Sequence, residues 1–100
     1  MILFNITTKI DLDVHDVWLN WMKEDQLPRM LGTGCFTDYK MFRILEDNTT
    51  DGITYAVQFF ANTMGDYFDY TNKHAAAFQK EMKDAYPDKY VTFQTVLREV

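Results

Sequence analysis

Hydrophobic and polar residues alternate at the start of the chain. Apolar side chains recur at every second position over residues 2–10, so they would share one face of an extended segment. They are Ile2, Phe4, Ile6 and Ile10. Because successive side chains of a strand point to opposite sides, this period of two predicts a strand with one buried face.

The apolar spacing changes to three and four residues after this strand. Residues 14–22 carry an apolar face at helical spacing, and Asp13 is expected to cap the helix that they predict. Pro28 interrupts the pattern, so we expect a kink or a short last turn there. Gly32 is expected to end the helix in a left-handed conformation.

Two strands, a second helix and a last strand complete the pattern. Aromatic and β-branched residues over 35–46 and 53–60 predict two strands, and the turn-forming residues 47–52 between them predict an antiparallel hairpin. A regular apolar stripe over residues 64–85 predicts the second helix. Residues 90–100 then supply the fourth strand.

The order of these elements is β-α-β-β-α-β, which is the ferredoxin-like arrangement of the α+β class. It consists of a four-stranded antiparallel sheet with two helices on one face. No linker, repeat or low-complexity tract interrupts the chain, so residues 1–100 are expected to form a single domain.

The second face of such a sheet usually meets water, but here it is half apolar and carries little charge. We assign Asn5, Gln58 and Phe60 to this open face, together with Gln94 of the last strand. The opposite set in that strand, which includes Phe93, is assigned to the face under the helices. An apolar open face favours pairing with a second copy of the chain or an enclosed cavity.

Charge and composition exclude several partners. The 100 residues carry a net charge of −5, and the 10 basic residues are scattered among the 15 acidic ones. Nucleic acid and anionic membrane are therefore not expected partners, because both require basic patches. The first residues lack the features of a signal peptide, and the single cysteine, Cys35, excludes an intrachain disulfide. We expect a cytoplasmic protein.

Several strings of residues resemble a known family. Residues 15–24 (His-Asp-Val-Trp-Leu-Asn-Trp-Met-Lys-Glu) continue through Leu-Pro at 27–28 to Thr-Gly-Cys-Phe at 33–36, and Tyr-Ala-Val-Gln-Phe-Phe follows at 55–60, with Lys-His-Ala at 73–75. Over nearly the whole chain they resemble the uncharacterised bacterial family called domain of unknown function 4286. The resemblance implies the dimeric α+β barrel superfamily, in which two ferredoxin-like units pair their sheets around a cavity.

Some members of that superfamily are cofactor-independent or haem-degrading monooxygenases. The haem-degrading type places an Asn on the first strand, a Trp on the third and a His on the second helix. Asn5 and His74 match two of these places, but the third strand offers Phe59 and Phe60 instead of a Trp. The resemblance thus implies a monooxygenase as an alternative function without a complete haem site.

The candidate site residues follow from the same pattern. His74 is the candidate catalytic residue, because an imidazole exchanges protons near neutral pH; the alternative is a hydrogen-bonded histidine at the rim of the core. Asn5, Gln58 and Gln94 are expected to orient the polar atoms of a ligand, and Phe60 to supply an apolar wall. Together they predict a ligand cavity between the sheet and the helices.

Two other features have simpler structural explanations. His15 lies in an acidic string, but that string lacks the glycine and the closing glutamate of a calcium loop. Cys35 follows the predicted end of a helix, where the dipole is negative and does not activate a thiol. We therefore expect no metal and no cofactor.

Three functions remain open at this point. The first is a homodimer that binds a small, partly apolar molecule, and the second is a monooxygenase. The third is a structural or regulatory dimer whose interface is filled and holds no ligand. An RNA-recognition domain shares the topology, but it would require exposed aromatic residues flanked by basic ones. The sequence does not decide whether the protein is an enzyme.

Overall fold

The computed structural model describes residues 1–46 and 50–100. In chain order its strands and helices are β1 (Ile2–Asp11), α1 (His15–Trp21), α2 (Leu27–Leu31), β2 (Asp38–Arg43), β3 (Gly52–Ala61), α3 (Met64–Lys73), α4 (Ala75–Ala85) and β4 (Tyr90–Arg98). A 3₁₀ turn (Leu12–Val14) precedes α1, and a π-helical turn (Met22–Gln26) joins α1 to α2.

The four strands form one antiparallel sheet in the order β2-β3-β1-β4. This confirms the predicted ferredoxin-like α+β fold. The central strand β1 pairs with β3 on one side and with β4 on the other, while β2 and β4 form the edges. The part of the predicted hairpin turn at 47–49 lies outside the described residues.

The core lies between one face of the sheet and the helices. Phe4 and Phe59 are buried on that face, and the ring of Phe4 packs against Phe36 and against Tyr70 of α3. Trp18 of α1 is fully buried. The alternation predicted for β1 therefore identifies the buried face correctly.

The first helical region differs from the prediction at its two ends. Asp13 does not cap α1; its carboxylate instead accepts a hydrogen bond from Nζ of Lys89 at 2.6 Å. Gly32 follows α2 with a right-handed φ of −64°, and the left-handed position is taken by Gly34 with φ +81°. Pro28 is the second residue of α2, which follows the π-helical turn Met22–Gln26 directly, so the helical region continues through it to Leu31.

The second helical region begins as predicted but is divided in two. The hydroxyl of Thr63 accepts a hydrogen bond from the backbone N–H of Asp66, which caps α3. His74 leaves the helical conformation with φ −128°, so α3 ends there and α4 begins at the next residue. The prediction of one continuous helix over residues 64–85 is therefore wrong at this one position.

Strand β4 presents its faces in the opposite sense to the prediction. In the observed register Ile6 lies opposite Gln94, and Thr7 lies opposite Phe93. Because Ile6 is on the helix side of the sheet, Gln94 is on that side too, and Phe93 lies on the open face. The assignment of Gln94 to the open face is therefore wrong.

Within residues 1–46 and 50–100, no helix is both long enough and apolar enough to cross a membrane.

Candidate ligand cavity

A cavity of about 500 Å³ lies between the helix layer and the sheet. Its lining comes from β1, β3 and β4 on the sheet side, and from the π-helical turn, α2, α3 and α4 on the helix side. On β4, Thr92 and Gln94 face the helices and line the cavity. Both residues are exposed.

The inner wall of the cavity is apolar. Buried side chains form most of it, namely those of Met22, Leu27, Met30, Val57 and Met82. Ligand cavities are typically of this kind, with apolar walls and few polar groups.

Several polar groups in the wall already have hydrogen-bond partners. The hydroxyl of Thr92 donates to the backbone oxygen of Thr7 at 3.1 Å, and Thr8 Oγ1 lies 3.1 Å from Thr92 Oγ1. The side-chain amide of Gln26 donates to the backbone oxygen of Phe78 at 3.1 Å. Gln94 differs, because no partner for its amide exists among the described residues. Among the described residues Gln79 and Lys83 also line the cavity without a side-chain partner, so Gln94 is one of several polar groups available to a ligand.

Two tyrosines in the wall remain protonated at neutral pH. Burial raises the pKa of Tyr70 well above its usual range, and burial also raises the pKa of Tyr90. Tyr70 is only 3% exposed, and its ring stacks on that of Phe78 with the centroids 6.3 Å apart. The two phenols are thus neutral groups at the cavity.

The structure separates the predicted site residues by the thickness of the sheet. Gln94 lines the cavity, whereas Asn5, Gln58 and Phe60 lie on the opposite, open face. Asn5 lies opposite Gln58 in the β1–β3 register, and its amide donates to the hydroxyl of Thr7 at 3.0 Å. These residues therefore do not form one cavity with Gln94, because adjacent positions in a strand point to opposite faces.

His74 also lies outside the cavity wall. It is half-buried at the junction of α3 and α4, where its backbone N–H donates to the carbonyl of Tyr70 at 2.9 Å. The two rings are 6.4 Å apart between centroids, and of the pair only Tyr70 lines the cavity. His74 is therefore not among the residues that line this cavity.

The haem-type arrangement does not fit this chain. Asn5 and His74 are the two residues that match it, and they lie on opposite sides of the sheet. Phe59 is fully buried on the helix side, while Phe60 is on the open face. The matched residues of one chain therefore cannot contact the same bound group.

Both ring nitrogens of His15 lie within hydrogen-bond distance of a side chain, which the sequence did not predict. Nδ1 of His15 lies 2.8 Å from a carboxylate oxygen of Asp16, and Nε2 lies 2.8 Å from the hydroxyl of Tyr55. Neither His15 nor Tyr55 lines the cavity, so the arrangement connects α1 to β3 rather than forming part of the site. No local signal could have identified Tyr55, which lies 40 residues away along the chain.

The described residues contain no group of three side chains placed to bind a metal ion.

The open face of the sheet carries several exposed apolar side chains. Val91 is 72% exposed and Phe93 is 61% exposed, and Phe42 of β2 and Leu97 of β4 are exposed on the same face.

The fold and the cavity define a small ferredoxin-like α+β domain with a ligand-sized space between its sheet and its helices. The family described as Domain of unknown function (DUF4286) matches residues 1–100, and the chain belongs to this family. Among curated proteins, none matches the chain in sequence.

Solved structures share the fold at low sequence identity. A candidate antibiotic biosynthesis monooxygenase from Nitrosomonas europaea has a TM-score of 0.71 at 9% identity, covering 100% of this chain and 99% of that one. Hydroxynitrile lyase from Passiflora edulis has a TM-score of 0.66 at 17% identity, covering 99% and 95%. A monooxygenase of Streptomyces coelicolor in complex with nanaomycin D has a TM-score of 0.60 at 10% identity, covering 99% and 88%.

Proposed function

We propose that this protein is a homodimer in which each subunit binds a small, partly apolar molecule in the cavity between its sheet and its helices. The cavity itself carries the proposal. Its volume of about 500 Å³ lies within the range of roughly 300–1,000 Å³ that small-molecule sites occupy. Its apolar wall would hold the body of the ligand, and the amide of Gln94 would orient a polar atom.

The open face supports the dimer. It exposes Phe93, Val91, Phe42 and Leu97 together, and a single copy of the fold leaves them in water. Phe42 lies on one edge strand and the other three lie on the opposite edge strand, and exposed apolar surface of this kind marks association sites in soluble proteins. In this arrangement Asn5, Gln58 and Phe60 belong to the contact between the two sheets, while the cavities remain on the outer sides of the paired sheets.

The reaction, if there is one, is not determined by the fold. The structural neighbours include a candidate monooxygenase, a monooxygenase and a hydroxynitrile lyase. Proteins of one fold therefore carry out different reactions. A monooxygenase thus stays an alternative for this chain. The third candidate, a structural or regulatory dimer with a filled interface and no ligand, has less support because each subunit has a cavity large enough for a ligand.

The experiment that tests the proposal uses N-phenyl-1-naphthylamine, an uncharged apolar fluorophore. We expect saturable binding to the wild-type protein, and Gln94→Trp should weaken it by about tenfold, which corresponds to about 1.4 kcal/mol, because the indole would fill the cavity. Gln94 is exposed, so the substitution does not disturb the core.

Thr95→Trp is the matched control, because it adds the same side chain to the same strand on the open face. It should leave binding in the cavity unchanged. Binding that is lost with Thr95→Trp and kept with Gln94→Trp would place the probe on the open face and overturn the proposal. An absence of any saturable binding would favour the dimer without a ligand.

A further inference from the structure

The charge at the cavity is opposite in sign to the charge of the whole protein. The chain has a net charge of −5, but the described residues that line the cavity include two lysines and no carboxylate. The lysines are Lys80 and Lys83 of α4, and both are exposed, so they lie at the mouth of the cavity rather than in its apolar interior.

The two lysines are not equivalent. Nζ of Lys80 lies 2.5 Å from the carboxylate of Asp84, one helical turn further on, and this ion pair neutralises it. The hydrogen bond that Lys80 donates to Asp84 also raises the pKa of Lys80. Lys83 has no ion-pair partner among the residues that the structure describes. One uncompensated ammonium group therefore stands at the mouth.

Neighbouring groups do not remove this charge. Lys83 also borders a separate surface depression together with Asp84 and Asp88, but neither carboxylate is within ion-pair distance of it. The amide of Gln94, on the sheet side, lines the same cavity as Lys83 and is also without a partner among the described residues. An ammonium donor and an amide donor thus line one cavity with an apolar interior.

We propose that the ligand of this cavity is an apolar organic acid bound as its anion, with its hydrocarbon or aromatic body in the cavity and its acidic group held by Lys83 and Gln94. The inference rests on the proposed function. A charge-assisted hydrogen bond to Lys83 favours an anion over a neutral ligand of the same shape. A cationic ligand would be repelled by Lys83, and no carboxylate among the described lining residues would offset this repulsion.

The test compares two fluorophores that share one aromatic body. 8-Anilinonaphthalene-1-sulfonate carries a negative charge, and N-phenyl-1-naphthylamine lacks the sulfonate. We expect Lys83→Gln to weaken binding of the anionic probe by about fivefold at low ionic strength, the upper range for an exposed ion pair. Binding of the uncharged probe should stay unchanged. The preference for the anion should also fall as salt is added, because the pair is exposed to solvent.

Two matched variants separate the site from general charge. Lys73→Gln removes the same charge from α3, outside the cavity lining, and should leave both probes unaffected. Lys83→Arg keeps the positive charge and should retain the preference for the anion, which shows that the preference depends on the charge, while unchanged binding of the uncharged probe shows that Lys83→Gln is folded.

The outcomes distinguish the two proposals. If both probes bind and Lys83→Gln changes neither affinity, or changes both equally, the inference of an acidic ligand is overturned while the cavity proposal stands. If the uncharged probe does not bind at all, the proposed function itself fails.

Discussion

The ring of His15 joins helix α1 to strand β3 through the hydroxyl of Tyr55, with 2.8 Å between Nε2 and the phenolic oxygen. The two rings are also nearly parallel, at 13° and with centroids 5.7 Å apart. Tyr55 is buried, and it packs at the same time against Trp18. The contact therefore positions the first helix over the sheet. One wall of the cavity depends on this position.

Tyr55→Phe removes only the hydroxyl from this contact. We expect the free energy of unfolding to fall by about 1 kcal/mol, because the half-buried imidazole loses a hydrogen bond. Urea unfolding of the purified variant measures this. Tyr39→Phe is the control, since the hydroxyl of Tyr39 has no hydrogen bond among the described residues. Equal effects of the two substitutions would contradict the assigned role.

A second connection holds α2 against α4. The guanidinium of Arg29 donates to both Asp25 and Glu81, with a shortest distance of 2.7 Å, and lies 5.4 Å from the centre of the Phe78 ring. A double-mutant cycle of Arg29→Ala and Glu81→Ala should give a coupling energy of at most about 1 kcal/mol, because solvent screens the pair. The coupling should decrease with added salt. A coupling energy of zero at low salt would show that the pair does not hold the helices together.

Phe93→Glu tests the proposed association of the open faces. The side chain is 61% exposed in the single chain, so the fold should be preserved. The interface would instead contain two unpaired carboxylates, and we expect the dimer to dissociate at least about 100-fold more readily. Sedimentation velocity measures this. Gln94→Glu, on the next residue and the other face, should remain a dimer, and dissociation of both variants would argue against pairing through the open face.

Tyr70 should make the protein sensitive to alkaline pH. Burial raises its pKa in the folded state, whereas the unfolded chain has the ordinary value of about 10. Above pH 10 the unfolded state loses the proton first, so the free energy of unfolding falls by up to about 1.4 kcal/mol per pH unit for this group. Below pH 10 the group makes no pH-dependent contribution.

Tyr70→Phe should therefore flatten the alkaline limb of the stability profile without removing it, because burial also raises the pKa values of Tyr55, Tyr86 and Tyr90. Urea unfolding at pH 8, pH 10 and pH 11 is sufficient for the comparison. Parallel profiles for the variant and the wild type would show that the Tyr70 phenol is accessible to solvent in the folded state.

His74→Ala tests the residue that the sequence suggested for proton transfer. Because His74 lies outside the cavity wall, we expect the affinity for N-phenyl-1-naphthylamine to change by no more than about twofold. Fluorescence titration of the folded variant provides the measurement. If His74→Ala lowered the affinity for the probe by about as much as is expected for Gln94→Trp, His74 would have to be counted among the ligand-binding residues.

The order of elements and the buried faces of β1 and β3 could be predicted from sequence alone. In both strands large apolar residues occupy one set of alternate positions, as with Phe4 in β1 and Phe59 in β3, so the pattern itself states which face is buried. The start of α3 at Thr63 was predictable for a similar reason, since a capping hydroxyl acts on a backbone N–H only three residues away.

The candidate site was less predictable, because it depends on β4. That strand has apolar residues at both sets of alternate positions, with Phe93 and Leu97 in one set and Val96 in the other, so its own pattern does not state which face meets the helices. The pairing of Ile6 with Gln94 decides this, and it joins residues 88 positions apart. One step of register moves every side chain to the other face.

The sequence by itself thus determined the local elements and their order, because periodicity and capping act within a few residues along the chain. Only the tertiary structure decided that Gln94 and Lys83 line one cavity, that Asn5 and Gln58 lie on the far side of the sheet, and that His15 meets Tyr55. These relationships depend on strand register and on the packing of helices against the sheet, and both are set by contacts between residues distant in sequence.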